Sequence, residues 1–475
     1  MSTSFLFHTQ SIVGFLYEKV KSWGKEIVIS IRQNSKKQRC VNCESSNVTA
    51  VYLKNRRIRG LPIGRKPLFF DVKIHRLKCH DCGLYRQEAL PFLSGIKRHY
   101  TRALERFIVE LRPHLSILSI SKLYHLDWDT IKSIEKRNLQ KKYAKIPLKD
   151  LKYIGIDEIH VGQWKYFTIV IDLVSGSVIY IGEGKSKASL ESFSRRLKHS
   201  SCKIKAVAMD MSDAYISWAK EVLPEAEIVF DHFHVIKLMN QKIDQVRRSE
   251  YNKARKLVKA EEMQKQLTGK SNETDKIGIV PKSDVPEEAK IQPTKLEVKP
   301  NQDGLINSSV PEGGKKVGDQ KSSPTAQEML EVLKGIRWLL LKGKEKIESD
   351  EEAKARLQIL TELNKNLALT YQLKELLRSI YATTKNVNDA EKELEKWCNM
   401  ARQSGIQPLN AMGNTIKNHW DGVLAYWRLG ITSAKVEGFN NKIRWLIKQA
   451  YGYRDKAYFK LKIFDLPSTS IEKSL

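Results

Sequence analysis

The stretch Tyr153–Val174, YIGIDEIHVGQWKYFTIVIDLV, decides how the chain is read. Ile154, Ile156, Ile159 and Val161 frame one apolar run; Phe167, Ile169, Val170, Ile171 and Leu173 dominate a second. Short β-branched runs bounded by Gly and polar residues suit central strands, here joined by a tight reversal. Asp157 interrupts the first run. A carboxylate in a core strand is costly unless something pairs with it. Either Asp157 lies where the sheet meets water, or a cation neutralises it.

Working outward, a third strand is expected over Val178–Ile181, a helix over Lys187–Leu197, and a strand from Ile204 that ends on Asp210. A helix over Ala214–Leu223, a strand over Glu227–Phe230, and Asp231-His-Phe-His234 opening a long helix follow. Strands followed by alternating helices and strands imply a mixed sheet covered by helices. If the strands bearing Asp157 and Asp210 are neighbours, both carboxylates converge on one sheet edge. Such a pair suits Mg²⁺, which takes one or two acidic ligands and fills its shell with water and phosphate oxygens. Asp213 competes with Asp210, but it begins a helix, as a capping residue does. Glu158 competes with Asp157, and one step along a strand turns a side chain to the other face.

A third carboxylate lies far downstream in SAKVEGFNNKIRWLIKQAYGYR. Val436, Phe439, Ile443, Leu446 and Ile447 form an apolar helical stripe, while Glu437, Asn440, Asn441, Arg444 and Lys448 occupy the other face.

Near the N-terminus, Cys40-Val-Asn-Cys43 and Cys79-His-Asp-Cys82 make two CxxC pairs. Two such turns complete the tetrahedral thiolate site that structural Zn²⁺ uses. Four thiolates saturate the metal, so His75 and His80 are expected to pack rather than ligate. Residues 48–78 alternate as a small β-unit would. Residues 97–145 read as helices, with Asp127 capping the second of two short ones. That pair resembles a helix-turn-helix. Its second helix would turn Lys132, Ser133, Lys136 and Arg137 to the major groove, with Lys141 and Lys142 on phosphate.

The net charge of +29, from 83 Lys and Arg against 54 Asp and Glu in 475 residues, favours a polyanionic partner. No apolar run approaches the ~20 residues of a membrane span, and no secretory signal is seen. A cytosolic, membrane-free protein is expected. Six cysteines do not make a disulfide scaffold in so long a chain. Residues 269–325 are rich in Gly, Ser, Pro, Asn and Lys and are expected to be disordered. Helices resume at Ala326, and Trp338, Trp397, Trp420 and Trp427 in that block are expected mostly in a core.

The order CxxC…CxxC, helix-turn-helix, IGIDEIH, VAMDMSDAY, FDHFHVIK and TSAKVEGFNNKIRWLIKQAYGYR resembles the ISL3 family of bacterial insertion-sequence transposases. The likeness covers nearly the whole chain apart from residues 269–325. It implies a multidomain α+β chain: a zinc-binding N-terminal β unit over 1–95 and a helix-turn-helix over 96–147. An RNase H-like α/β catalytic domain over 148–234 and 431–475 is interrupted by an all-helical insertion, 235–430. The resemblance puts a DDE triad on Asp157, Asp210 and Glu437, holding Mg²⁺ or Mn²⁺, its carboxylates gathered within a few ångströms. Asp231 and His234 match an accessory D-x-x-H motif. The implied activity is cleavage and transfer of double-stranded DNA at transposon ends and target, by a homodimer or higher oligomer. The rival readings are a catalytically silent DNA-binding regulator and an RNase H-like nuclease.

Overall fold

The computed structural model describes residues 3–270 and 325–466, save 96 and 433. Of the 269–325 segment, residues 271–324 lie outside the described residues. The chain divides into two compact units, Met1–Ile228 with Thr432–Leu475, and Val229–Ile431. As expected it mixes α and β, with two five-stranded sheets and many helices.

In the first unit, α1 (Thr3–Gln10) precedes β1 (Phe15–Trp23), β2 (Glu26–Gln33), β3 (Val48–Arg59), β4 (Leu68–Cys79) and β5 (Tyr85–Gln87). The sheet order is β1-β2-β4-β3, with β5 also on β4. Leu68, Phe70, Val72 and Ile74 alternate into a core shared with Leu6, Phe15, Ile29, Ile31 and Phe92. This period of two is the strand signature read from the sequence. The antiparallel β3–β4 register sets Val48 opposite Cys79, which brings the two CxxC turns to one end of the ribbon.

Three helices follow: α2 (Arg102–Leu111), α3 (Ile117–Tyr124) and α4 (Trp128–Lys142). Thr101, Ser116 and Asp127 cap them, each side chain accepting from a backbone N–H in the first turn. His125, left-handed at φ 51°, ends α3 and turns the chain into α4. Leu104, Ile108, Ile120, Ile131 and Ile134 are the packed faces. Leu118 and Leu123 of α3 are exposed instead.

The second sheet comprises β6 (Tyr153–His160), β7 (Tyr166–Asp172), β8 (Val178–Glu183), β9 (Ala206–Met209) and β10 (Glu227–Phe230), in the order β10-β9-β6-β7-β8. Helices α5 (Glu191–Lys198) and α6 (Asp213–Val222) flank β9. β6, β7 and β8 run antiparallel, and β6 pairs β9 in parallel.

The second unit is helical: α7 (His232–Lys270), α8 (Ala326–Leu333), α9 (Arg337–Leu341), α10 (Lys344–Glu348), α11 (Glu351–Leu363), α12 (Lys365–Thr383), α13 (Val387–Gln403), α14 (Gln407–Asn418) and α15 (Trp420–Leu429). Trp397 is fully buried and donates to the Leu373 carbonyl at 2.7 Å. Trp338 is 71% exposed and so does not belong to a core. Trp427 stacks on Tyr381 at 4.6 Å between centroids. No helix among the described residues is long and apolar enough to cross a membrane.

The chain then re-enters the first unit through α16 (Ala434–Gln449) and α17 (Lys456–Asp465). α17 is locked to α4 by a buried ion cluster. Glu135, 4% exposed, accepts from Arg112 at 2.7 Å, from Lys462 at 2.9 Å and from the Tyr458 hydroxyl. Burial alone would raise the Glu135 carboxyl, but the Lys462 and Arg112 charges outweigh it and hold it below its usual value. Glu135→Ala is expected to cost about 3 kcal/mol, because two partly buried cations lose their carboxylate. Denaturation of the full chain measures it. The folded-state pKa is depressed, so this stabilisation is present above the ordinary carboxylate range and is lost as pH falls through the depressed value.

Candidate active site

The register of β6 against β9 places the acidic residues. Tyr153 pairs with Ala206, Ile154 with Val207 and Gly155 with Ala208. Continued two residues, it sets Asp157 across from Asp210, on strands ~4.8 Å apart. α16 lies against β6 at the same place. A Cβ on Gly155 would stand 2.4 Å from Val436 Cγ2 and 2.9 Å from Leu173 Cδ2, so only glycine admits the helix. The Lys435 ammonium donates to the carbonyls of Leu173 at 2.6 Å and Val174 at 3.0 Å, pinning the start of α16.

Glu437 follows Val436, and Asn440 lies one turn further along the same face. The Asn440 amide donates to Asp157 Oδ2 at 2.7 Å, and the Glu158 N–H donates to Asp157 Oδ1 at 2.8 Å. Asn440 is thus the partner the embedded carboxylate requires. The sequence placed it beside Glu437 without giving it a role; its i+3 spacing from Glu437 was the available signal. Asp210 accepts from the Ser212 N–H at 3.2 Å.

The two competing carboxylates are separated by backbone geometry. Glu158 pairs with Thr168 in the ladder, and Thr168 Oγ1 lies 3.0 Å from the Tyr215 hydroxyl of α6. Tyr215 in turn reaches Glu158 Oε2 at 3.5 Å. Glu158 therefore faces α6, whereas Asp157 faces α16. Burial raises the Tyr215 hydroxyl pKa, and the charges of Glu158, Asp210 and Asp157 push it further. Ser212 holds the cap position of α6, so Asp213 is its first helical residue rather than its cap.

Among the described residues, Asp157, Asp210 and Glu437 do not form a cluster with ligand atoms mutually within 4.8 Å. Among the described residues, the group of three or more ligand-type side chains with atoms mutually within 4.8 Å is Cys40, Cys43, Cys79 and Cys82. Asp157 and Asp210 are each held by their own donors instead. The sulfurs of Cys40 and Cys82 are 3.6 Å apart, and those of Cys43 and Cys79 3.5 Å. A tetrahedral zinc with ~2.3 Å bonds sets its sulfurs ~3.8 Å apart, so the cluster is compatible with zinc. The backbone amides of Cys43 and Asn42 lower the Cys40 thiol to about 6. His75 pairs with Glu88 at 3.2 Å and His80 with Thr49 at 2.8 Å, so each histidine has its own partner.

Four of the five cations expected to contact DNA are engaged within the chain. Lys136 and Lys132 lie 2.7 and 3.5 Å from Asp455, and Lys142 lies 2.9 Å from Asp465. Arg137 pairs with Glu105 at 3.0 Å and with the Tyr100 hydroxyl. Lys141 is exposed. Partly exposed pairs are worth ~0–1 kcal/mol, so a phosphate can compete for these cations. In the other unit, buried Asp231 lies 2.8 Å from His232 Nδ1 and accepts the Phe233 N–H at 3.4 Å. His234 meets it through the backbone, donating its N–H to the Asp231 carbonyl at 3.0 Å.

A family model described as "DDE_Tnp_ISL3: Transposase" matches residues 154–277 and 313–463, from the start of β6 to α17. The chain belongs to this ISL3 family of transposases. It is 27% identical over 444 residues to "Transposase for insertion sequence element IS1001" of Bordetella parapertussis, covering 93% of this chain and 91% of that one. "Transposase for insertion sequence element IS1557" of Mycobacterium tuberculosis is 25% identical over 405 residues, covering 84% and 78%. The ISL3 family match includes Gly155, Asp157, Asp210, Glu437 and Asn440, while Cys40, Cys43, Cys79, Cys82 and α2–α4 lie outside it.

The approach of α16 can be tested directly. Gly155→Ala is expected to destabilise the chain by about 1–3 kcal/mol through overpacking. Adding Val436→Ala should recover most of that loss in the same denaturation assay. A double variant no better than the single one would show that this contact does not position α16.

Proposed function

We propose that this ISL3-family chain is a DDE transposase that binds the terminal inverted repeats of its element and cuts and joins DNA strands. The observation that supports this reading is the β6–β9 register, which continued sets Asp157 opposite Asp210, with α16, the helix bearing Glu437, held on Asp157 by Asn440. In this reading the second sheet is the core of an RNase H-like domain, into which the helical unit is inserted.

The donor set fits a hard divalent cation. Asp157 and Asp210 offer carboxylate oxygens from neighbouring strands, and Asn440 Oδ1 is buried without a hydrogen-bond partner among the described residues. Asp157, Asp210 and Glu437 would hold Mg²⁺ or Mn²⁺, which when bound activates an attacking hydroxyl and stabilises a leaving oxygen. The chain's own contribution is positioning. Asn440 and the Glu158 N–H orient both oxygens of Asp157, and Ser212 orients Asp210. Lys435 fixes where α16 begins and therefore where Glu437 stands. Water or a DNA 3′-hydroxyl is the nucleophile, with no covalent enzyme intermediate implied.

DNA reading is assigned to the α3–α4 pair, with Lys132, Lys136 and Arg137 exchanging their intramolecular carboxylates for bases, and Lys141 and Lys142 taking phosphate. The Cys40, Cys43, Cys79 and Cys82 cluster would hold Zn²⁺ beside it. A homodimer or higher oligomer on two transposon ends completes the reading.

Asp157→Asn, Asp210→Asn and Glu437→Gln should each reduce strand cleavage of supercoiled donor DNA to background while terminal-repeat binding persists. A variant that still cleaves in Mg²⁺ removes that residue from the mechanism. For the cysteines, metal analysis of the full chain should return roughly one zinc per chain. Chelation or Cys79→Ser should lower the melting temperature; an unchanged melt in a zinc-free sample would overturn the assignment.

A further inference from the structure

A cleft of about 1510 Å³ lies between the loop after α2, the start of α4, the turn after β6 and the α16–α17 connection. It exceeds the ~300–1,000 Å³ of a small-molecule pocket, which favours a segment of polymer. Its walls are aromatic: Trp128, Trp164, Tyr451, Tyr453 and Tyr458 all line it. Tyr451 is fully exposed; Trp128 is 45% exposed, with the Lys132 ammonium 5.4 Å from its ring centroid.

Tyr451 occupies a position where a side chain is not structurally required. α16 ends in a paired capping motif: the Gly452 N–H donates to the Ile447 carbonyl at 3.0 Å and the Tyr451 N–H to the Lys448 carbonyl at 3.1 Å. The residue at this position is left-handed and usually glycine. Tyr451 adopts φ 51° there, which an L side chain disfavours. Its side chain is fully exposed, so no packing among the described residues repays the strain.

The lining holds Arg112, Lys132, Arg454 and Lys462; Arg112 and Lys462 are paired with Glu135, and Lys132 with Asp455. Arg454 forms no ion pair among the described residues. Lys448 is exposed on α16, its ammonium 5.5 Å from the Trp445 ring. α16 runs from Glu437 to this cleft, ~20 Å at 1.5 Å per residue. That is the length of about six stacked nucleotides of one strand.

We propose that the cleft takes unpaired nucleotides of a DNA strand, with Tyr451 and Trp128 stacking on bases and Arg454 and Lys448 meeting phosphates. Open aromatic faces stack on bases that are not already stacked in a duplex. The inference deepens the transposase reading and rests on it.

The test uses the full chain without divalent metal, so that loss of strand chemistry cannot move the result. The probes are the element's terminal repeat as a blunt duplex, and the same duplex with its last six nucleotides unpaired and carrying 2-aminopurine. Wild type should quench the fluorophore. Tyr451→Gly suits the left-handed backbone and should melt no lower than wild type. It should bind the blunt duplex as before, but bind the unpaired-end duplex about ten-fold more weakly and without quenching. Tyr451→Phe should restore both, and Trp128→Ala provides an independent second variant. If wild type binds the repeats but leaves the fluorophore unquenched, or both variants match wild type on both probes, the cleft inference fails and the transposase reading stands. If wild type binds neither probe, both fail.

Discussion

The hydrogen bond from Asn440 to Asp157 joins residues 283 apart in the chain, and the candidate site depends on it. It satisfies a carboxylate set in a buried strand, and it does so from the same helical face that carries Glu437. The bond forms because Gly155 has no side chain and Val436 fills the space a Cβ would take. The strand, the helix and the partner of the carboxylate are therefore one arrangement. Between them the chain makes a separate helical unit, Val229–Ile431. Such an insertion is tolerable because loop-closure cost grows only slowly with length, provided the returning helix is anchored, as Lys435 anchors α16.

The basic excess of the chain is distributed rather than uniformly available. Glu135 is buried among Arg112 and Lys462, while Asp455 and Asp465 sit against lysines of α4. The buried cluster and the rim pairs differ in kind. Losing Glu135 would strand buried cations, so that cluster fixes α17 on α4. The rim pairs are weak and exchangeable. One helix, α4, is thereby held firmly on one side and left able to trade partners on the other.

The two candidate metal centres are matched to different ions by donor chemistry. Soft thiolates converge at the ends of β3 and β4, where strand register alone brings the two CxxC turns together. At the other, Asp157 on β6 meets Asn440 on α16, beside the parallel β6–β9 pair. Thiolates favour zinc, and carboxylate and amide oxygens suit magnesium or manganese, so the two donor sets differ in the ion they prefer.

Much of this was legible in the sequence because it is local. The apolar runs of Tyr153–Val174 form β6 and β7, Asp127 caps α4, and the two CxxC motifs meet, each from a pattern spanning a few residues. The contrast between Asp157 and Glu158 also followed from the two-residue period of a strand. What the tertiary structure decided are the partners. Asn440 for Asp157, Asp455 for Lys136, Glu135 for Lys462 and the open setting of Tyr451 depend on which distant segments pack together. Composition and periodicity say which face of an element is apolar or charged. They do not say what that face meets, because pairing across hundreds of residues is set by packing and backbone clearance, such as the missing side chain at Gly155.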